Sequence, residues 1–428
     1  MPVSDVIEQK RKPLSLLQTL TPEVLAAPEA FYRNLRESDP VYWDPYMHAW
    51  VVTRYPDVVT VLSRASSDRS PSQDSLDALG LSFFKPFADT MAQQILFIDG
   101  AYHARLRGLC SRAFSTQSIE RLKAEIHTVA NQLIDNIAPL GHIDLVADFA
   151  APLPAIMTSK LMGVPVEDHA QIGRWVNDLA EVHGNFQHHP TRVIEVLKSL
   201  QNFRDYIADH MAKLRGSPNS GLICSMMGAE LNGKRLTDDE VISNTIMMII
   251  GGHETTTNLI ASGFLTLLRN PDSLHQLREN SEIMASAVEE LLRFESPVQH
   301  TARIVPSDME VGNKTLTKGS KVVAVLAAAN RDPERFTAPD SLDLLRSDNR
   351  HLAFGCGAHV CMGAALARIE SQIAFSTLLS RLPNPVLADS NLQWRQNAGL
   401  RGLTKLTVAF DSFPRAAHSF ERPASTME

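Results

Sequence analysis

The sequence predicts a mainly helical chain with a smaller β-rich part, an α+β fold. Three observations carry this expectation. Thr237-Asp-Asp-Glu240 reads as a capping box, and the apolar run behind it continues to about Leu268 before Asn270-Pro271 stops it. Residues 117–215 keep a helical period, broken at Pro152-Leu153-Pro154, Gly163-Val164-Pro165 and His188-His189-Pro190. Short β-like runs stand apart from the helices, at 41–43, 49–53, 309–311, 315–316 and 321–327, and again across 383–412.

The elements follow in order. Residues 1–20 read as a polar lead. Thr21-Pro22-Glu23 is a helix start, with Thr as N-cap and Pro at the first helical position. A helix over 29–38 leads to the first two strands, and 56–64 is helical again. Residues 65–92 are rich in Ser and Asp and lack a clean period. Asp99-Gly100 opens a helix carrying His103, Arg105, Arg107 and Arg112. Arg105 and Arg112 share a face and form a candidate docking patch for an acidic partner, against the plainer reading of solvated charge. The cluster His183, His188 and His189 lacks metal-ligand spacing and reads as an exposed hinge. Asn232-Gly233 is a turn, and 285–294 is a helix that Pro297 ends. No linker, repeat or low-complexity run divides the 428 residues, so one domain is expected over 21–413, with a loose tail at 414–428.

Composition narrows the class. The chain is 44% apolar and 21% charged, the balance of a soluble globular protein. A net charge of −7 makes nucleic acid an unpromising partner. Four scattered cysteines, Cys110, Cys224, Cys356 and Cys361, fit free thiols in a reducing cytoplasm. The N-terminal stretch holds no apolar run long enough for a signal peptide or membrane anchor.

Three motifs carry chemistry. HLAFGCGAHVCMGAALARIE, from His351 to Glu370, is a glycine-punctuated loop that delivers Cys361 to the start of a helix. Such loops also cradle phosphates, and His351, Cys356, His359 and Cys361 could be four zinc ligands, although no C-x-x-C or H-x-x-x-H clamp is present. Gly251-Gly252-His253-Glu254-Thr255 interrupts the long central helix with two glycines that cost about 1 kcal/mol each relative to Ala. Glu290-Leu-Leu-Arg293 puts an acid and a base on one helix face.

Taken together these residues resemble the cytochrome P450 family. Its loop pattern F-G-x-G-x-H-x-C-x-G, followed by an L-A-R helix, is filled at every position from Phe354 to Arg368. The helix after Asp99 resembles D-P-P-x-H-x-R-L-R with Gly100 and Ala101 in place of the prolines, and residues 251–256 resemble A/G-G-x-D/E-T-T. The likeness spans about 22–413, and residues 330–336 match a further family segment, which implies a short helix there. It implies a cytochrome P450 fold holding heme b, with Cys361 as the axial iron ligand. Phe354 would cover the sulfur, Gly363 and Gly251 would make room, and His103, Arg107, Arg303 and His359 would meet the propionates. Thr255 would hydrogen-bond the dioxygen and Glu254 would relay protons. Glu290 and Arg293 would join a later arginine, for which Arg346 is the candidate.

The same resemblance implies a soluble bacterial-type monooxygenase, a monomer, that hydroxylates or epoxidises an apolar small molecule in specialised metabolism. Electrons would reach it from NAD(P)H through a ferredoxin reductase and a ferredoxin. The alternatives are a peroxygenase driven by hydrogen peroxide and a non-catalytic heme sensor. Residues 65–92, 180–200, 297–303 and 398–403 are the expected pocket walls, with Phe83, Phe84, Ile95, Leu96, Ile246, Ile249 and Val298 making them apolar.

Overall fold

The computed structural model describes residues 14–411 apart from 112–113, 115, 185–189, 217–220 and 232. His188, His189, Arg112 and the tail 414–428 therefore lie outside the described residues.

Strands β1 (Val41–Asp44) and β2 (Ala49–Val52) form an antiparallel hairpin of β-branched and aromatic residues. Asp44 fixes the turn, its Oδ1 accepting from the N–H groups of Tyr46 (2.9 Å) and Met47 (3.1 Å). The same carboxylate accepts from the N–H of Leu16 at 2.8 Å. The expected polar lead is thus corrected at its end: Leu16–Leu20 is a 3-10 turn, with Leu16 fully buried.

Two further strands complete the larger sheet. β3 (Thr301–Ile304) pairs antiparallel with β4 (Lys321–Ala324), and β4 runs parallel to β2. The run expected to stay extended to 327 stops at Ala324, because its neighbours in the ladder end at Val52 and Thr301. Leu326–Ala329, rich in helix-forming alanine, then makes one helical turn. The helix expected at 330–336 is instead a series of turns. Its first carbonyl, on Asn330, accepts from Arg293 Nη1 (2.9 Å).

The helices make the core. Those that matter for the site are α1 (Gly100–Ser111), α2 (Thr116–Ile137), α3 (Pro152–Met162), α4 (Asp238–Arg269), α5 (Met284–Glu295) and α6 (Ala364–Arg381). Pro152 and Pro154 begin α3 instead of merely breaking the chain; both sit in the first turn, where N–H groups have no acceptor within the helix. Residues 65–92, expected to lack regular structure, hold two short helices, Gln73–Ala78 and Lys85–Met91.

Helix α4 has 32 residues and spans about 48 Å at 1.5 Å per residue. Its capping box is complete: Thr237 Oγ1 accepts from the N–H of Glu240 (3.2 Å), and Glu240 Oε2 accepts from the N–H of Thr237 (2.8 Å). Most of its residues are buried, against a cluster with α2, α3, α5 and α6 on one side and a second apolar cluster on the other. Among the described residues no helix is long and apolar enough to cross a membrane.

Candidate active site

The loop before α6 turns where the sequence has glycine. Gly355 (φ +68°) and Gly357 (φ +74°) adopt the left-handed conformation that side chains resist. The N–H of Cys361 donates to the carbonyl of Phe354 (2.9 Å) and closes the loop. Cys361 faces an internal cavity but is otherwise surrounded by protein. Burial pushes its thiol up. The N–H groups of Gly363 and Ala364, at the start of α6, and the nearby charges of Arg107 and Arg368 pull it back only in part. A thiolate here is therefore favoured only if its charge is taken by a cation.

The loop is clamped from behind. Arg368 donates to both oxygens of Glu289 on α5 (2.7 and 2.8 Å), and His351 Nε2 bonds the same carboxylate (3.2 Å). The Arg368 guanidinium also lies 4.6 Å from the centre of the Phe354 ring, which packs on the main core beside the cysteine. Deeper still, Glu290 and Arg293 are both fully buried and joined by two hydrogen bonds (2.7 and 2.8 Å). Arg346 Nε completes the group at 3.0 Å from Glu290.

The cavity, of about 780 Å³, lies between this loop and α4. Helix α4 presents Met247, Met248, Gly251, Gly252, Thr255 and Leu259 to it, a stripe at helical spacing. Ile246 and Ile249, expected on this wall, sit one step out of phase and pack into the second apolar cluster. Ile95, Leu96 and Val298 do line the cavity, joined by Phe87 and Met91, whereas Phe83 points to solvent and Phe84 into the core. Segments 297–303 and 399–400 contribute as expected, but no described residue of 180–200 does.

One end of the cavity is cationic. His103, Arg107, Arg303 and His359 all reach it. The rings of His103 and His359 lie with centroids 4.1 Å apart, tilted by 36°, and His359 Nε2 donates to Asp99 Oδ1 (2.8 Å). Arg107 Nη2 donates to the carbonyl of Val360 (2.8 Å). His103 Nε2 and Arg303 Nε are buried with no hydrogen-bond partner among the described residues. Burial lowers the pKa of both histidines and of Arg303. Arg105 is not part of a free patch: its guanidinium pairs with Glu240 on α4.

Thr255 and Glu254 face opposite ways. Thr255 borders the cavity and its Oγ1 donates back to the carbonyl of Gly251 (2.6 Å). Glu254 is not on the cavity wall; its Oε1 accepts from Arg395 Nη1 (2.7 Å) and lies 3.4 Å from Asn258 Nδ2. The two glycines differ also. A β-carbon at Gly251 would meet nothing within 4 Å, whereas at Gly252 it would stand 2.8 Å from Thr158 Oγ1.

Comparison with known proteins decides what this arrangement is. The family profile for cytochrome P450 matches residues 40–387. The chain belongs to the cytochrome P450 family. It is 35% identical over 396 residues to the biotin biosynthesis cytochrome P450 of Bacillus subtilis, covering 92% of this chain and 98% of that one. A solved structure of P450BioI in complex with an acyl carrier protein ligated with hexadec-9Z-enoic acid superposes with a TM-score of 0.85 at 34% identity, covering 91% and 99% of the two chains. A myxobacterial cytochrome P450, CYP267B1, in complex with myristic acid gives 0.84 at 36% identity, covering 92% and 99%.

The residues fit the heme that a P450 carries. A sulfur waits at the mouth of a helix N-terminus, two buried nitrogens lack partners at the cationic end, and at Gly251 and Gly363 a β-carbon would project where there are no protein atoms. The zinc alternative finds no support: among the described residues no three His, Cys, Asp or Glu side chains are grouped to hold an ion. Cys356 lies apart, half-buried near Ser63 and Arg303.

Two cavity-related residues gave no signal in the sequence. Arg69 lines the cavity from the stretch that lacked a period, and Arg395 pairs with Glu254 from 141 positions away. Neither contact has a local pattern to announce it.

Proposed function

We propose that this P450 monooxygenase inserts one oxygen atom of O2 into an apolar small molecule, by hydroxylation or epoxidation, in bacterial specialised metabolism. The observation that carries the reading is Thr255 on the wall of the cavity that Cys361 also lines, with its hydroxyl held by the carbonyl of Gly251. When bound, heme supplies the activation of O2, using two electrons that a ferredoxin and its NAD(P)H-dependent reductase deliver.

The chain's own residues do the rest. Cys361 would supply the sulfur that holds the heme iron, and Phe354, Gly363 and the Glu289–Arg368 clamp would keep that sulfur in place. Arg107 and Arg303 would give the cofactor's carboxylates charged partners in a desolvated setting, and His103 and His359 would add polar ones. Thr255 Oγ1 offers a proton into the cavity when it releases the Gly251 carbonyl. Glu254 resupplies that proton after turning from Arg395, whose side chain reaches solvent. The walls are apolar and rich in methionine, which adapts to irregular shapes. That favours a flexible hydrocarbon, and the fatty acyl ligands named for two similar structures agree in kind.

The test is the purified protein reduced under carbon monoxide. A strongly red-shifted Soret band is expected, and its absence would remove the thiolate reading. Thr255→Ala should then divert most reducing equivalents into hydrogen peroxide, and unchanged coupling would count against the role of Thr255. Turnover supported by peroxide alone at the full rate would favour a peroxygenase.

A further inference from the structure

We propose that Arg69 is a third arginine anchor for the anionic edge of the heme. The inference rests on the heme-thiolate reading above. Arg69 Nη1 donates to the carbonyls of Ser67 (2.9 Å) and Leu96 (3.2 Å), and its guanidinium lies 4.3 Å from the centre of the Phe97 ring. These contacts fix the side chain but do not neutralise it. Among the described residues it forms no ion pair, and its Nε and Nη2 make no hydrogen bond while the side chain borders the cavity. Burial, with Arg303 adding repulsion, brings its pKa down to about 9, so the charge persists at neutral pH but is poorly accommodated. A buried cation of this kind calls for an anion.

Position says which anion. Asp99 Oδ2 accepts from Ser66 Oγ (2.6 Å) and from the N–H groups of Ser67 (2.7 Å) and Asp68 (3.2 Å), while Asp99 Oδ1 holds His359. One carboxylate therefore fixes the turn leading to Arg69 relative to His359, whose ring packs against that of His103. The charges at this end do not balance. Arg69, Arg107 and Arg303 bring three positive charges and Asp99 one negative, a surplus of two. Lys321 borders the cavity but is exposed to solvent. Glu370 lies on α6, and burial pushes its pKa well above the usual carboxylate range, which disfavours its charge. Heme carries two propionates, so three arginines and one aspartate match it. Without Arg69 one propionate charge would go unbalanced. A substrate carboxylate has the same chemistry and is the rival occupant.

The test compares holoprotein carrying Arg69, Arg69→Lys or Arg69→Gln. Three readouts apply: heme transfer to excess apomyoglobin, the propionate-bending bands in resonance Raman, and the heme midpoint potential. Arg69→Gln should speed heme loss about tenfold, the effect of one charge-assisted hydrogen bond. It should also shift a propionate band and lower the potential, because a positive charge near the heme is removed. Arg69→Lys should recover part of the change and is the informative variant if the glutamine protein folds poorly. Spin-state titrations with myristate and methyl myristate form the second arm. Weaker myristate binding with unchanged heme loss and Raman bands would assign Arg69 to a substrate carboxylate and overturn the proposal. No change in any readout would overturn it too. A wild-type protein without the red-shifted carbon monoxide band would instead overturn the heme-thiolate reading itself.

Discussion

Replacing Glu290 should unfold the base of the heme site. Its two carboxylate oxygens accept from Arg293 Nε and Nη2, from Arg346 Nε, from the N–H of Asp343 (2.9 Å) and from Asn349 Nδ2 (3.2 Å). Glu290→Ala removes the one negative charge that faces a fully buried Arg293 guanidinium. Breaking a buried pair in this way costs about 3–5 kcal/mol, a large part of the roughly 5–15 kcal/mol that holds a domain folded. The carbonyls of Asn330 and Pro339 still accept from Arg293, which places the loss nearer the lower figure. Guanidinium denaturation followed by circular dichroism, with heme content from a pyridine haemochrome assay, gives both readouts. The double variant Glu290→Leu/Arg293→Met should regain part of the loss because the fully buried Arg293 charge is no longer stranded, although Arg346 still loses its carboxylate. A Glu290→Ala protein with normal heme content and an unchanged midpoint would refute the argument.

Other expectations follow from the same geometry. Gly252→Ala should destabilise the protein by about 1–3 kcal/mol, because the new methyl collides with Thr158, while Gly251→Ala should leave thermal stability intact and shrink the cavity instead; thermal melts and substrate titrations separate the two. Glu254→Gln should slow product formation roughly 10- to 100-fold and enlarge the solvent deuterium isotope effect, whereas an unchanged isotope effect would exclude it from proton supply. The pH dependence of stability should carry the signature of Glu289. Burial would raise its pKa, but His351 and Arg368 outweigh that and hold it down to about 2. A depressed carboxylate contributes stability above its ordinary pKa and loses it as pH falls toward the folded value. Wild type should therefore lose on the order of 2 kcal/mol between pH 4.5 and 2 from this group, and Glu289→Gln should lack that component.

The cysteine loop was legible because its demands are local. Positive φ at Gly355 and Gly357 and the helix start behind Cys361 are fixed within ten residues, so the sequence spells them. Arg346 could be picked out because it lies close in sequence to the loop it braces. The long central helix announced itself through its capping box, but which side of it faced the cavity did not. Both sides are apolar, so Ile246 and Ile249 looked as suitable as Met247 and Met248, and only packing against α3 and α6 set the phase. The short helices in 65–92 have one or two turns each, too few for a period to show. The run at 321–327 failed for a different reason: a strand lasts only as long as its neighbours, and those are distant in sequence.

The pairing of Glu254 with Arg395 has a consequence for altering this enzyme. Arg395 follows the strand Gln393–Trp394, which pairs with Leu403–Lys405, and the loop between them brings Gly399 and Leu400 to the cavity. Gly402 in that loop is packed so tightly on Asn258 that a β-carbon would lie 1.9 Å from its side-chain oxygen. One short hairpin thus shapes the ground on which a substrate rests and restrains Glu254, the acid we propose as proton supply. A library randomised at Leu400 for new selectivity will also retune the tempo of proton supply. Its members should be ranked by product formed per electron spent as well as by which product they make.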